Sequence, residues 1–335
     1  MLRLAILSDL VGGGYSGPFL APLRRASAEL AARGVELVQA DPDLVLADTD
    51  RVETAALACP LVLLDLSDGG MLWWYGAARD DRARAWLRSE RVLGMVKVTR
   101  YTSAALYNLP LAEGVYHIHR VYEAAAGALP PCRVEPAIPV TEDDLSRIEL
   151  GFGFWAFPWC DMLADAPLDP DGVRDIDVFC AGTTAYHSPG VTYHREQAFA
   201  ALERLRGWHS ELRRGRVFAA EEYAALMRRA RVCVSPWGWG ETAFRDYEAM
   251  YAGCVLIKPL TDFVDTYPRI DTQHYVPCAV DFSDLQEKVD HVLTHWGEYA
   301  DMRRRNRERM VAVRRPDALA ERFAAILHRF AGRIA

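Results

Sequence analysis

Ser235-Pro-Trp-Gly-Trp-Gly-Glu-Thr-Ala-Phe-Arg-Asp-Tyr-Glu248-Ala-Met-Tyr-Ala-Gly253-Cys-Val-Leu-Ile-Lys258-Pro259 decides how this 335-residue chain is read. Arg231-Val-Cys-Val-Ser235 before it is a short apolar strand, and Val255-Leu256-Ile257 near its end is a second. Between them lie a Gly/Trp turn, a helix over 242–252 and Gly253 in the place of a helix C-cap. That order puts free backbone N–H groups at a helix N-terminus, where anions bind. It also sets a carboxylate two turns deeper, at the distance of a ribose.

With Glu241 at zero on a helical wheel of about 100° per residue, Arg245 falls at about 40° and Glu248 at about 340°. All three charges then share one face, and Ala243, Phe244, Tyr247, Met250 and Tyr251 occupy much of the other. An Arg between two Glu at these spacings is also what an ordinary solvated helix face carries. The flanking strands, the glycine turn and the glycine stop favour a site.

The run Gly240-Glu241, Arg245, Tyr247-Glu248-Ala249, Gly253-Cys254 and Ile257 resembles the C-terminal donor-binding half of GT-B glycosyltransferases. It is especially similar to the group-1-like branch with spore-maturation-type and exostosin-like proteins. The match is strong over about 30 residues, with Asp175-Ile-Asp-Val-Phe-Cys-Ala-Gly182 as weaker support upstream. The resemblance implies a fold of two Rossmann-like α/β domains facing a cleft, with a last helix crossing back to the first domain. It implies a nucleotide-sugar co-substrate, UDP- or GDP-linked, with Glu248 on the ribose hydroxyls, Glu241 toward the sugar, no permanently bound cofactor and no metal. Retaining members separate two Glu by seven residues. Here six lie between Glu241 and Glu248, and Gly240 stands in the register of the first Glu, so the stereochemistry stays open.

Composition sets the outer bounds. The length fits two domains of about 150 residues. Hydrophobic content of 51% and charged content of 25% describe a globular chain. No run approaches the ~20 apolar residues of a membrane span. The N-terminal Met-Leu-Arg-Leu-Ala-Ile-Leu reads as a buried strand and is too short for a signal peptide, so the expected location is the cytoplasm. The seven cysteines (59, 132, 160, 180, 233, 254 and 278) are scattered, without C-x-x-C spacing, and read as free thiols. A net charge of −7 gives no global basic field for nucleic acid, and Arg303-Arg-Arg-Asn-Arg307 reads as a solvated helix face.

Strand and helix signals alternate along the first half. Strands are expected at Leu4–Leu7, Val35–Val38, Leu44–Leu46, Leu61–Leu64, Val92–Val98 and Val115–His119, with a helix over 19–33 stopped by Gly34. From about 128 to 172 prolines crowd a segment holding Phe152, Phe154, Trp155, Phe157 and Trp159, which reads as an aromatic-packed interdomain connection. Alternation resumes with a strand at Ile176–Cys180, helices at His194–Arg206 and Ser283–His295, and a final helix at Pro316–Phe330. The expected domains are 1–165 on the acceptor side, 166–315 for the nucleotide-sugar, and 316–335 as the crossover helix.

Glycosyl transfer requires that the leaving diphosphate be stabilised, the nucleoside held and the acceptor hydroxyl activated. Donor contacts are expected from Gly182, Thr183, Arg195, Trp237, Trp239, Gly240, Glu241, Thr242, Arg245, Glu248 and Lys258, and from Gly13 and Gly14 in the Gly12–Gly14 loop. Arg245 or Lys258 would neutralise phosphate charge, and Arg195 is read equally as a phosphate contact or a structural ion pair. His187 lies in the loop after Gly182. The catalytic candidates are Asp9, Glu241, Asp68 and His119, with Asp65 beside them, and nothing in the sequence selects the base. His117 and His119 alternate on the expected strand and would share a face.

The reaction class is transfer to an acceptor hydroxyl on a small metabolite, a glycan or a modified DNA base. Two further readings stand beside it: a nucleotide-sugar 2-epimerase of the same fold, and a catalytically degenerate binding module.

Overall fold

In a computed structural model the chain is described over residues 1–7, 16–48, 59–66, 71–72, 84–151, 153, 160–166, 172–215 and 219–333, without the side chains of 16–19 and 48. The first half contains β1 (Leu2–Leu7), α1 (Ser16–Arg25), α2 (Ser27–Ala32), β2 (Val35–Leu37), β3 (Leu44–Asp48), β4 (Leu61–Asp65), β5 (Val92–Lys97), β6 (Thr99–Tyr101), α3 (Tyr116–Ala124) and β7 (Ile148–Leu150). The second contains β8 (Ile176–Gly182), α4 (Pro189–Glu203), β9 (Ser210–Arg214), α5 (Ala220–Arg229), β10 (Ala230–Val234), α6 (Phe244–Ala252), β11 (Val255–Pro259), β12 (Val264–Thr266) and β13 (Val276–Cys278). After these come α7 (Leu285–Thr294), α8 (Ala300–Val313) and α9 (Pro316–Ala331), and shorter helical turns lie between the named elements.

Two sheets organise the chain. The first has the order β2-β1-β3-β4-β5-β7 and the second β13-β11-β10-β8-β9, with every neighbouring pair parallel. Parallel strands covered on both faces need nearly continuous apolar runs. Leu61-Val-Leu-Leu-Asp65 and Val255-Leu-Ile-Lys-Pro259 are buried at every position for that reason. The fold is α/β with two Rossmann-like units. In each sheet the order reverses once, between β1 and β3 in the first and between β8 and β10 in the second. Crevices at the carboxyl ends of the strands flanking such a reversal are where open α/β sheets take ligands.

The units are fastened at several places. α9 lies on the first: Gly94 leaves room for Phe330, Gly151 lies close to Val96 with Phe323 beside it, Arg322 donates to the Leu150 carbonyl at 2.6 Å, and His328 Nε2 lies 2.9 Å from the Arg33 carbonyl. β6 and β12 form a separate two-stranded antiparallel ribbon, Thr99–Tyr101 against Val264–Thr266, with Arg100 and Asp265 paired at 3.4 Å. On another face, Gly190 at the start of α4 packs against Ile118 of α3, and its N–H donates to Glu113 at 2.8 Å.

Several sequence expectations need correcting. Val115–His119 is not a strand: Tyr116 opens α3, and Ile118, Val121 and Ala125 recur at helical spacing on its buried side. The helix expected over 19–33 breaks at Ala26 into α1 and α2, four residues beyond Pro22, although Gly34 does stop it at φ 82°. α4 begins at Pro189, five residues before the expected start, because Ser188 caps it by accepting the Val191 N–H at 3.0 Å. The key helix begins at Phe244, so Glu241 and Thr242 lie in the preceding turn and the wheel angle assigned to Glu241 has no meaning. Gly253 ends that helix at φ 71°. All seven cysteines are free, five of them buried. Phe152, Phe154, Trp155, Phe157 and Trp159 lie outside the described residues.

Candidate functional site

The reversal between β8 and β10 positions the site. β8 ends at Gly182, and β10 leads through Ser235 into the Trp237–Thr242 turn. Helix α4 brings Arg195 beneath both chain ends. Its guanidinium donates from Nε to the Trp237 carbonyl at 2.9 Å and from Nη1 to the Thr183 carbonyl at 2.9 Å, and it lies 4.8 Å from the centre of the Tyr186 ring. Helix α6 brings Arg245, whose Nη2 donates to the Ala181 carbonyl. Its Nε and Nη1 are buried with no hydrogen-bond partner among the described residues. Neither arginine is ion-paired to a carboxylate there. Burial, and then the neighbouring Arg245, pull the Arg195 guanidinium down to about 10.

Two glycines exist for these guanidiniums. A Cβ at Gly182 would stand 2.5 Å from Arg245 Nη2 and 3.2 Å from Arg195 Nη1. One at Gly238 would stand 2.8 Å from Arg195 Nη2. A cavity of about 640 Å³ opens here, lined among others by Gly182, Arg195, Tyr223, Phe244, Arg245 and Glu248. Glu248, on α6, is 8% exposed and accepts the Tyr223 hydroxyl at 2.7 Å. Burial pushes its carboxyl above the ordinary range, against the opposing pull of Tyr223 and Arg245.

The turn itself is clamped. Lys258, 1% exposed on β11, is ion-paired with Asp246 and donates to the Glu241 carbonyl at 2.9 Å. Asp246 also accepts from Ser235 Oγ at 2.5 Å and from the Ala243 N–H at 3.2 Å. Gly238 N–H reaches the Gly240 carbonyl at 3.2 Å, and Thr242 is buried beside them. Trp237 is a core residue, stacked on His194 at 5.1 Å between ring centres. Trp239 is half-buried, edge-on to Tyr186 at 5.6 Å. Lys258 is therefore committed to the turn, whereas Arg195 and Arg245 are the cations lining the cavity among the described residues.

Glu241 meets the first unit. Its Oε1 lies 3.0 Å from His117 Nδ1, and both side chains are fully closed to solvent. His117 Nε2 faces the Gly238 carbonyl at 3.1 Å and so carries a hydrogen. His119 is not part of this pair. About 200° further round α3, its Nδ1 accepts the Ala112 N–H at 3.3 Å and its Nε2 lies 3.5 Å from Glu123.

Asp65 closes β4 in a buried ion pair with Lys97, whose ammonium also donates to the Met71 carbonyl at 2.7 Å. His187 is exposed. Asp9, Gly13, Gly14 and Asp68 lie outside the described residues. Sequence reasoning missed the His117–Glu241 pair, because it crosses between units, and Tyr223, whose place on an amphipathic helix gives no sign of its hydrogen bond.

No family model matches the chain, and no curated protein matches it in sequence. Solved structures similar in the course of the chain include sucrose-phosphate synthase from Thermosynechococcus elongatus, 12% identical, covering 98% of this chain and 99% of that one, with a TM-score of 0.49. An alpha-glucosyltransferase in complex with UDP-glucose and DNA containing an abasic site is 8% identical over 97% and 99%, with a TM-score of 0.46. An alpha1,3-fucosyltransferase is 11% identical over 98% and 90%, with a TM-score of 0.40.

Proposed function

We propose that this chain is a glycosyltransferase that moves a sugar from a UDP- or GDP-linked donor to an acceptor hydroxyl. One observation carries the reading: two buried guanidiniums, neither in an ion pair among the described residues, converge at Gly182, beside Glu248, in a cavity at the strand-order reversal. Buried cations demand anions. A diphosphate would take the free Nε and Nη1 of Arg245 and the N-terminus of α6, where Ala243 and Phe244 line the same cavity. The ribose hydroxyls would meet Glu248. The two arginines supply the charge that a metal would otherwise bring to the leaving group.

The sugar would then extend toward the Gly238–Thr242 turn, behind which Glu241 stands 3.0 Å from His117. Residues 1–165 would present the acceptor, 166–315 the donor site, and 316–335 would tie the last helix to the first unit. The acceptor is proposed only as a hydroxyl compound.

The test is binding of UDP and GDP by calorimetry, followed by turnover of the matching nucleotide-sugars. Arg245→Met is expected to weaken diphosphate binding at least about 10-fold, as loss of a charged hydrogen-bonding partner does. Absence of nucleotide binding by the wild-type chain would overturn the reading. Binding without transfer or hydrolysis would leave a binding module, and acceptor-free conversion of the sugar would identify an epimerase.

A further inference from the structure

Glu248 is held from a helix other than its own. Tyr223, on α5, donates its hydroxyl to Glu248 Oε2 at 2.7 Å, and its ring packs edge-on against Phe179 of β8 at 5.7 Å between centres. Phe179 is fully buried, so the tyrosine is anchored in the sheet while its half-buried side chain lines the cavity. A phenol donating to a carboxylate does two things. It fixes the carboxylate rotamer, and it favours the ionised form, which burial opposes. Both bear on sugar recognition, because an ionised carboxylate accepts hydrogen bonds from two adjacent hydroxyls and a protonated one accepts fewer.

We propose that Tyr223 is a positioning residue that sets the Glu248 carboxylate for a vicinal diol, so that the site selects ribonucleotides over 2′-deoxyribonucleotides. The proposal rests on the donor-site reading above. Tyr223 acts through Glu248 and needs no contact with the reacting atoms. Its ring is required for packing against Phe179 and its hydroxyl for selection, so Tyr223→Phe separates the two.

The experiment measures, by calorimetry, the affinity of the full chain for UDP, dUDP, GDP and dGDP, in wild type, Tyr223→Phe and Glu248→Gln. The expected result is a wild-type preference for the ribonucleotide that falls about 10-fold in Tyr223→Phe, with the deoxynucleotide affinity nearly unchanged. Glu248→Gln is expected to abolish the preference. Equal losses for ribo- and deoxynucleotides in Tyr223→Phe would show a merely structural tyrosine and overturn the proposal. So would an unchanged ratio, or a wild type that does not distinguish the sugars. A wild type that binds none of the four would sink the donor-site reading itself, an outcome distinct from nucleotide binding without selectivity.

Discussion

His117 Nδ1 stands 3.0 Å from Glu241 Oε1 across the junction of the two units, with neither side chain open to solvent. If this pair serves the transfer step, loss of its carboxylate should show in turnover and not in nucleotide binding. Glu241→Gln preserves the shape and removes the carboxylate. Turnover is expected to fall by about 100-fold or more, while the calorimetric affinity for the nucleoside diphosphate stays within about twofold. Parallel losses in both would place Glu241 in donor binding instead.

Asp246 and Lys258 predict a stability effect independent of any substrate. Both are 1% exposed, and the carboxylate also holds Ser235 and the Ala243 N–H. Asp246→Ala leaves the ammonium buried and unpaired, and a loss of about 3–5 kcal/mol is expected in urea denaturation. Replacing both partners by apolar residues, Asp246→Leu with Lys258→Met, is expected to recover most of that loss.

His194 predicts the acid limb. Its Nε2 accepts the Trp237 N–H at 3.1 Å, and burial, then His117 and Arg195, pull its pKa down from 6.5 to about 3. The folded state therefore binds fewer protons here than the unfolded state. This contribution is complete above pH 6.5 and is lost as pH falls toward 3, at up to about 1.4 kcal/mol per pH unit. Denaturation series at stepped pH should show a shallower slope in that window for His194→Asn than for wild type.

Gly182→Ala and Gly238→Ala test the arginine cradle. At Gly238 the new methyl meets only the end of a flexible guanidinium, so the fold should survive, whereas at Gly182, with φ at 158°, an alanine also strains the backbone, which makes Gly238→Ala the cleaner test. The guanidiniums must shift, and UDP or GDP affinity is expected to fall about 10-fold. Unchanged affinity with an unchanged melting curve would mean that the arginines do not grip the ligand.

The sheet strands were legible because buried parallel strands write continuous apolar runs, and Gly253 because only a C-cap needs its backbone. Glu248 and Arg245 were legible through their spacing on one helix. Val115–His119 misled because five residues of alternation fit either a strand or the first turn of a helix. Glu241 misled because a wheel cannot show where a helix begins. That boundary is set by Asp246 and by Lys258, which enters from β11. Ligation across units, such as Glu113 with Gly190 or His117 with Glu241, leaves no periodic trace in the chain.

The ribbon of Thr99–Tyr101 with Val264–Thr266 also governs how this protein can be cut or made. During synthesis the first strand emerges long before its mate, since the paired Arg100 and Asp265 are 165 positions apart. Until then its unpaired edge is a template for a neighbouring nascent chain. A gene fragment ending between the units would make that interval permanent, so it would produce an associating half-protein in place of a free-standing domain.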